Sequence, residues 1–232
     1  MQFRFALRAC LVVTALWLGA PLARAQETPP QEPVEVDLRY HLTRIRNTRG
    51  FQGNAPGPAL QVSVPLNPRL RVEMEYLWGR GSGRELRKLS HSDLDVGLAW
   101  RLDDPLKEGD GPLQRIHALG QWSISENRMT LLDGEVISER DEGAGVGFAR
   151  RAHPDKTISY SWRVVLHPTF MNQNGNNLAG QRALLVRASA RFRLGPDASA
   201  DLGYSYRTHK LTSEVDSSAT EQGPFLGASF RF

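Results

Sequence analysis

From Val36 to Phe232 one pattern recurs about ten times: apolar residues at every second position, with polar or charged residues between them. Period two marks an extended strand with one apolar and one polar face. Leu70, Val72, Met74, Tyr76 and Trp78 alternate with Arg71, Glu73 and Glu75. Leu94, Val96, Leu98, Trp100 and Leu102 alternate with Asp93, Asp95, Gly97, Ala99 and Arg101. Val36–Leu42, Leu60–Leu66, Ile158–Leu166, Leu184–Phe192, Leu202–Tyr206 and Leu226–Phe232 repeat the pattern. It weakens over Ile116–Ile124, where Leu119 falls on the polar side, and around Ala144, Val146 and Phe148, where glycines intervene. Each block is near the roughly 9–11 residues of a tilted membrane-spanning strand, and an even count puts both ends of the chain on one side. The expected fold class is all-β, a closed antiparallel barrel of about ten strands.

The last block, Pro224-Phe225-Leu226-Gly227-Ala228-Ser229-Phe230-Arg231-Phe232, puts Leu226, Ala228, Phe230 and Phe232 on one face. Left as the edge of a soluble sheet, that strand would pair with other molecules. Closed against the first strand it leaves no edge, and its apolar face can lie in lipid. An aromatic final residue on such a strand resembles the terminal signal of the bacterial outer-membrane β-barrels. The resemblance is one of pattern and covers Val36 to Phe232. It implies a transmembrane barrel in a Gram-negative outer membrane, surrounded by lipid bilayer and lipopolysaccharide. It also implies a last strand read by the barrel-assembly machinery. No family's active residues carry over with it.

The connections bear on the same choice. Those around Asn47–Pro58, Gly79–His91, Glu126–Ile137, Met171–Gln181 and His209–Gln222 read as long polar loops, whereas Asn67-Pro68-Arg69, Arg151–Lys156 and Gly195-Pro196-Asp197 read as short turns. Asp103–Pro112 is the exception on the short side. Long loops at one end and tight turns at the other are expected of a membrane barrel with periplasmic termini. On the outward face, Trp78 and Trp122 fall near the loop ends, and Trp100, Phe192, Phe230 and Phe232 near the turn ends, as two interfacial belts require.

Ahead of the barrel, Arg4 and Arg8, an apolar run to Leu22 and Ala23-Arg24-Ala25 read as a signal peptide over residues 1–25. Residues 26–34 read as a disordered periplasmic leader, and 35–232 as the barrel. The whole chain has 29 basic and 25 acidic residues; removing Arg4, Arg8 and Arg24 leaves 26 against 25, which gives no support to nucleic-acid binding. Cys10, the only cysteine, lies in the signal, so the mature chain has no disulfide and no thiolate chemistry.

With the apolar face outward, the inward face is ionic. Glu73, Glu75, Asp93 and Asp95 form an acidic wall on the third and fourth strands. Arg163, Arg187, Arg191, Arg193, Arg207 and Arg231 form a basic wall on the seventh to tenth. Charges shut away from water must pair, and the balance of the two walls favours a salt-bridged, largely filled lumen. The alternative is a narrow passage whose transverse field selects small polar or anionic solutes. A wide porin-like pore needs about sixteen strands.

Catalysis has one suggestive stretch, Ser90-His91-Ser92-Asp93. Strand parity allows His91 and Asp93 to share the lumen but excludes both serines, so no catalytic residue is assigned. His41 and His117 face inward singly, and no spacing specifies a metal or cofactor. Gly143-Ala144-Gly145-Val146-Gly147 indicates a bend or close packing within a strand. The expected role is that of a monomeric structural or surface-interaction scaffold acting through its loops, Asn172–Asn177 among them. A rim-site hydrolase and a soluble periplasmic ligand-binding barrel are the remaining rivals.

Overall fold

A computed structural model describes residues 32–46, 50–103, 114–174, 177–211 and 218–232, with side chains described except at 169–181 and 209–218. The expected signal peptide, most of the leader and the connection at 104–113 lie outside the described residues.

The described residues form β1 (Glu35–His41), β2 (Arg44–Arg46), β3 (Gln52–Asn54), β4 (Gly57–Pro65), β5 (Leu70–Gly83), β6 (Leu86–Arg101), β7 (Ile116–Leu131), β8 (Val136–Arg150), β9 (Ile158–Asn174), β10 (Asn177–Arg193), β11 (Ala198–Leu211) and β12 (Ser218–Arg231). β1 and β2 both lie against β12, and β3 and β4 both lie against β5, so each pair is one stave. Leu42 N–H donates to the Pro224 carbonyl at 3.0 Å across the short break between β1 and β2. Ten staves, all antiparallel, close through the β1–β12 ladder, in which Val36 faces Phe230 and Tyr40 faces Leu226.

Exposure fixes which face looks outward. Leu98 is 51% exposed, Val146 61% and Leu226 62%, while inward Glu75 and Arg207 are each 4% exposed. A soluble barrel requires the reverse, so the apolar surface is a lipid-facing belt. Trp78, Trp100, Trp122, Phe192, Phe230 and Phe232 all belong to that outward surface.

The polar connections are shorter than the sequence suggests. β5 runs to Gly83 and β6 begins at Leu86, leaving a two-residue turn where Gly79–His91 reads as a loop. The ladder pairs Gly79 with His91 and Arg80 with Ser90. β7 and β8 likewise meet at Leu132–Glu135, where Gly134 takes a φ of +95° and Glu135 N–H bonds the Asp133 carboxylate at 3.0 Å. Asn174 faces Asn177 at the tip of β9 and β10, and β12 starts at Ser218. Above the belt the outward face of these strands no longer meets lipid, so the outward apolar alternation ends while the backbone ladder continues. At the other end the turns are tight: the Asn67 carboxamide oxygen accepts from the N–H groups of Arg69 and Leu70, both at 2.9 Å.

Two apolar groups sit inside the barrel. Ala99, Leu119, Ala149, Val165 and Leu185 form a patch across β6 to β10. Ile45, Ala55, Leu86, Leu89, Met129 and Ile137 form a layer near the loop end, with Phe51 and Leu131 against it. Leu86 and Leu89, three apart, share one face because the β6–β7 register shifts between Leu86 and Lys88.

Candidate functional site

Inward residues of the ten staves converge in a lumen ordered by level from the turn end to the loop end. At the turn end, Glu32 is held by Arg71 and by Arg101, the latter at 3.2 Å. Arg71 also donates to the Pro33 carbonyl at 3.1 Å, and Val34 exchanges backbone hydrogen bonds with Phe232 at 3.1 and 3.0 Å. The leader, expected as disordered through Val34, is therefore docked from Glu32 onward. Arg115, beside this cluster, is the one non-glycine residue with positive φ among the described residues, at 59°. Burial pushes the Glu32 carboxyl upward, but the Arg115, Arg71, Arg151 and Arg101 guanidiniums outweigh it and hold it below the ordinary carboxylate value.

The next level joins Arg151 to Glu35 and, at 2.8 Å, to Glu73, which also takes Arg163. Arg191 binds Glu35, Asp201 at 2.8 Å and the Ser229 hydroxyl at 2.7 Å. At mid-height Arg187 clasps both oxygens of Glu75, one at 2.7 Å, and Arg39 takes Asp37 at 2.6 Å. Arg207 bridges Asp93 and Asp95, each at 3.0 Å. Phe225 enters this level from β12: the His41 ring stacks on it at 4.9 Å, and the Arg39 guanidinium lies 5.4 Å from its centroid. Above them come His91, Asn127, Ser125 and Glu221, and then the apolar layer of Leu89 and Met129.

The sequence places two opposed walls here, and the structure interleaves them. Glu73, Glu75, Asp93 and Asp95 do meet Arg163, Arg187 and Arg207. Arg191 instead pairs with Glu35, Asp37 and Asp201, so acids lie on β1 and β11 as well. Arg193 and Arg231 stand outside the network: at the turn end Arg193 donates to the carbonyls of Gly195 and Asp155, and Arg231 to that of Pro154. Sequence reading missed Glu32, Glu35, Asp37, Asp201, Glu221, Arg39, Arg71, Arg101 and Arg151 as lumen partners. Strand parity marks Asp37, Arg39 and Asp201 as inward. Glu221 escapes because it falls in a stretch that reads as loop.

Among the described residues, cavities of about 10, 20 and 70 Å³ adjoin this network, room for about one to five waters each. His91 and Asp93 share the lumen, Nε2 to Oδ2 at 3.3 Å, while Ser90 and Ser92 do not join them. Ser123 Oγ lies 2.9 Å from His167 Nε2, a nucleophile-and-base contact. Both residues are buried, and neither lines the three cavities above.

No family model matches the chain, and no curated protein sequence is similar to it. The outer membrane protease OmpT from Escherichia coli shares the fold at 9% identity, with a TM-score of 0.53 over 90% of this chain and 99% of that one. The attachment invasion locus protein Ail of Yersinia pestis matches at 13% identity and a TM-score of 0.41, covering 87% of this chain and 99% of its own. A COG4313 outer membrane channel from Pseudomonas putida F1 matches at 12% identity and 0.43, over 90% and 100%. The architecture is that of an outer-membrane β-barrel. The lipid-facing belt and the polar, ion-paired lumen require the same setting.

Proposed function

We propose that the protein is an outer-membrane scaffold, structural or surface-interacting, whose lumen is closed to solutes. The observation that carries this reading is the lumen itself, in which Arg163, Arg187, Arg191 and Arg207 each have carboxylate partners beneath an apolar layer. Breaking one buried pair by removing a partner costs roughly 3–5 kcal/mol, so a passage through several has no low-energy route. What remains available to partners is the outward surface and the hairpins above the belt. There Arg44, Arg46, Arg80, Arg87, Lys88 and Arg128 are all exposed, a cationic fringe suited to the anionic headgroups of lipopolysaccharide. The closed β1–β12 seam suits a single-chain barrel whose last strand is delivered by the assembly machinery.

Proteoliposome swelling tests the closed lumen directly. Vesicles carrying the folded protein should swell no faster in small sugars or amino acids than empty vesicles do. Swelling that depends on solute size or charge would establish the narrow channel instead.

A further inference from the structure

His91, Asp93 and Glu221 present one donor atom each to a common point, all within 4.8 Å of one another. His91 Nε2 lies 3.3 Å from Asp93 Oδ2 and 3.9 Å from Glu221 Oε2. Ligands of a tetrahedral zinc ion, at about 2.1 Å from the metal, stand about 3.4 Å apart. His91 and Asp93 stand at that spacing, and Glu221 lies within 4.8 Å of both, close enough to join them around one ion.

Each donor is also set from behind. Asn127 Oδ1 accepts from His91 Nδ1–H at 2.9 Å, which leaves the Nε2 lone pair turned toward the two carboxylates. Asn127 Nδ2 donates to Glu221 Oε1 at 3.4 Å and the Ser125 hydroxyl to the same oxygen at 3.2 Å, so Oε2 is the atom that faces His91. Arg207 Nη1 pairs with Asp93 Oδ1 at 3.0 Å, leaving Oδ2 toward the imidazole. A histidine whose far nitrogen donates to a carbonyl, beside carboxylates whose far oxygens are hydrogen-bonded, is how proteins orient metal ligands. With His91 neutral, three acceptor atoms confront one another, and either a proton or a cation has to sit between them.

Two further observations call for a cation. A cavity of about 20 Å³ adjoins these residues, and His41 lines it as well. His41 is 3% exposed and its Nε2 has no hydrogen-bond partner among the described residues. The same cavity is lined by Glu75, Asp93, Asp95 and Glu221 and by two guanidiniums, Arg187 and Arg207; Arg39 nearby is shared between Asp37 at 2.6 Å and Glu75 at 3.5 Å. With neutral histidines the groups that line this cavity are therefore net negative.

We infer that the upper lumen is a divalent metal site, with His91, Asp93 and Glu221 as ligands and Asn127, Ser125 and Arg207 as their positioning residues. The imidazole selects a first-row transition ion such as Zn²⁺ over Ca²⁺ or Mg²⁺, which prefer all-oxygen shells. The role is structural: the ion ties β6 to β12 across the lumen beneath the apolar layer.

Zinc stoichiometry of the chelator-stripped, detergent-folded barrel tests this, both loaded after folding and folded with ZnCl₂ present. Retention of the heat-dependent gel shift certifies each variant as folded. The wild type should hold one zinc per barrel by one loading route or the other, with a nitrogen-and-oxygen shell by X-ray absorption. His91→Gln and Glu221→Gln should abolish stoichiometric binding, and Asn127→Ala should weaken it roughly tenfold or more. Should Glu221→Gln fail to fold, His91→Gln decides the matter alone. A wild-type barrel that takes up no zinc by either route overturns the inference, since an imidazolium at His91 would then supply the missing charge. Zinc that His91→Gln still retains overturns it too, as surface binding.

Discussion

At the level of single residues, two positions test how tightly the lumen is built. A Cβ on Gly145 would lie 2.7 Å from both Cδ2 and Nε2 of His167 and 2.8 Å from a Val165 methyl. The β8–β9 register shift between Ala144 and Val146 brings that ring against the backbone. Gly145→Ala should therefore push His167 off Ser123 and lower stability by about 1–3 kcal/mol, read as a lower urea midpoint in lipid. Glu32 is the second position. Its folded-state carboxyl value is depressed below the ordinary 4.5, so its contribution is present above the unfolded value and is lost as pH falls through the folded one. The Glu32 carboxyl carbon should titrate below 4.5 by NMR. The difference in urea midpoint between wild type and Glu32→Gln should be present at neutral pH and vanish in acid. A midpoint at or above the ordinary value would mean that the arginine cluster does not hold the leader.

Among the elements, the long hairpins separate what hydrophobic pattern reveals from what a ladder adds. The belt segments, such as Leu70–Trp78 and Leu94–Leu102, are legible because lipid demands an apolar residue at every second position there. Above the belt neither face has that demand, so Gly79–Gly83 and Leu86–Ser90 look like loop although they are paired. Amide hydrogen exchange should show Arg80 and Ser90 protected despite lying beyond the lipid; exchange at the rate of a free loop would contradict the extended hairpin. The partners of the buried charges divide in the same way. Parity identifies Glu73, Asp95 and Arg207 as inward. Contact across a barrel depends also on stagger between staves, which no local pattern encodes, so the pairing of Arg191 on β10 with Glu35 on β1 is visible only in three dimensions. Leu119, out of step with its own strand, is a sequence sign of the apolar patch inside, and Val165 and Leu185 at inward parity are two more.

For the whole molecule, an outside that is apolar and an inside that is ionic make two demands. Outward substitutions should follow membrane depth: Leu226→Arg, mid-belt on β12, should cost about 2–4 kcal/mol, while Thr220→Arg, nearer the loop end of that strand, should cost close to nothing. Equal costs at both positions would remove the lipid belt from the account. Inside, the proposed closure of the lumen rests on ion pairs and the Leu89–Met129 layer, and that closure is the central claim. Single-channel recording of the folded barrel in a planar bilayer tests it most directly. A silent trace is expected from a protein shown by its gel shift to be folded and inserted. Discrete conductance steps that disappear when Arg187 and Arg191 are replaced would show that the ionic lumen is a passage, and would contradict it.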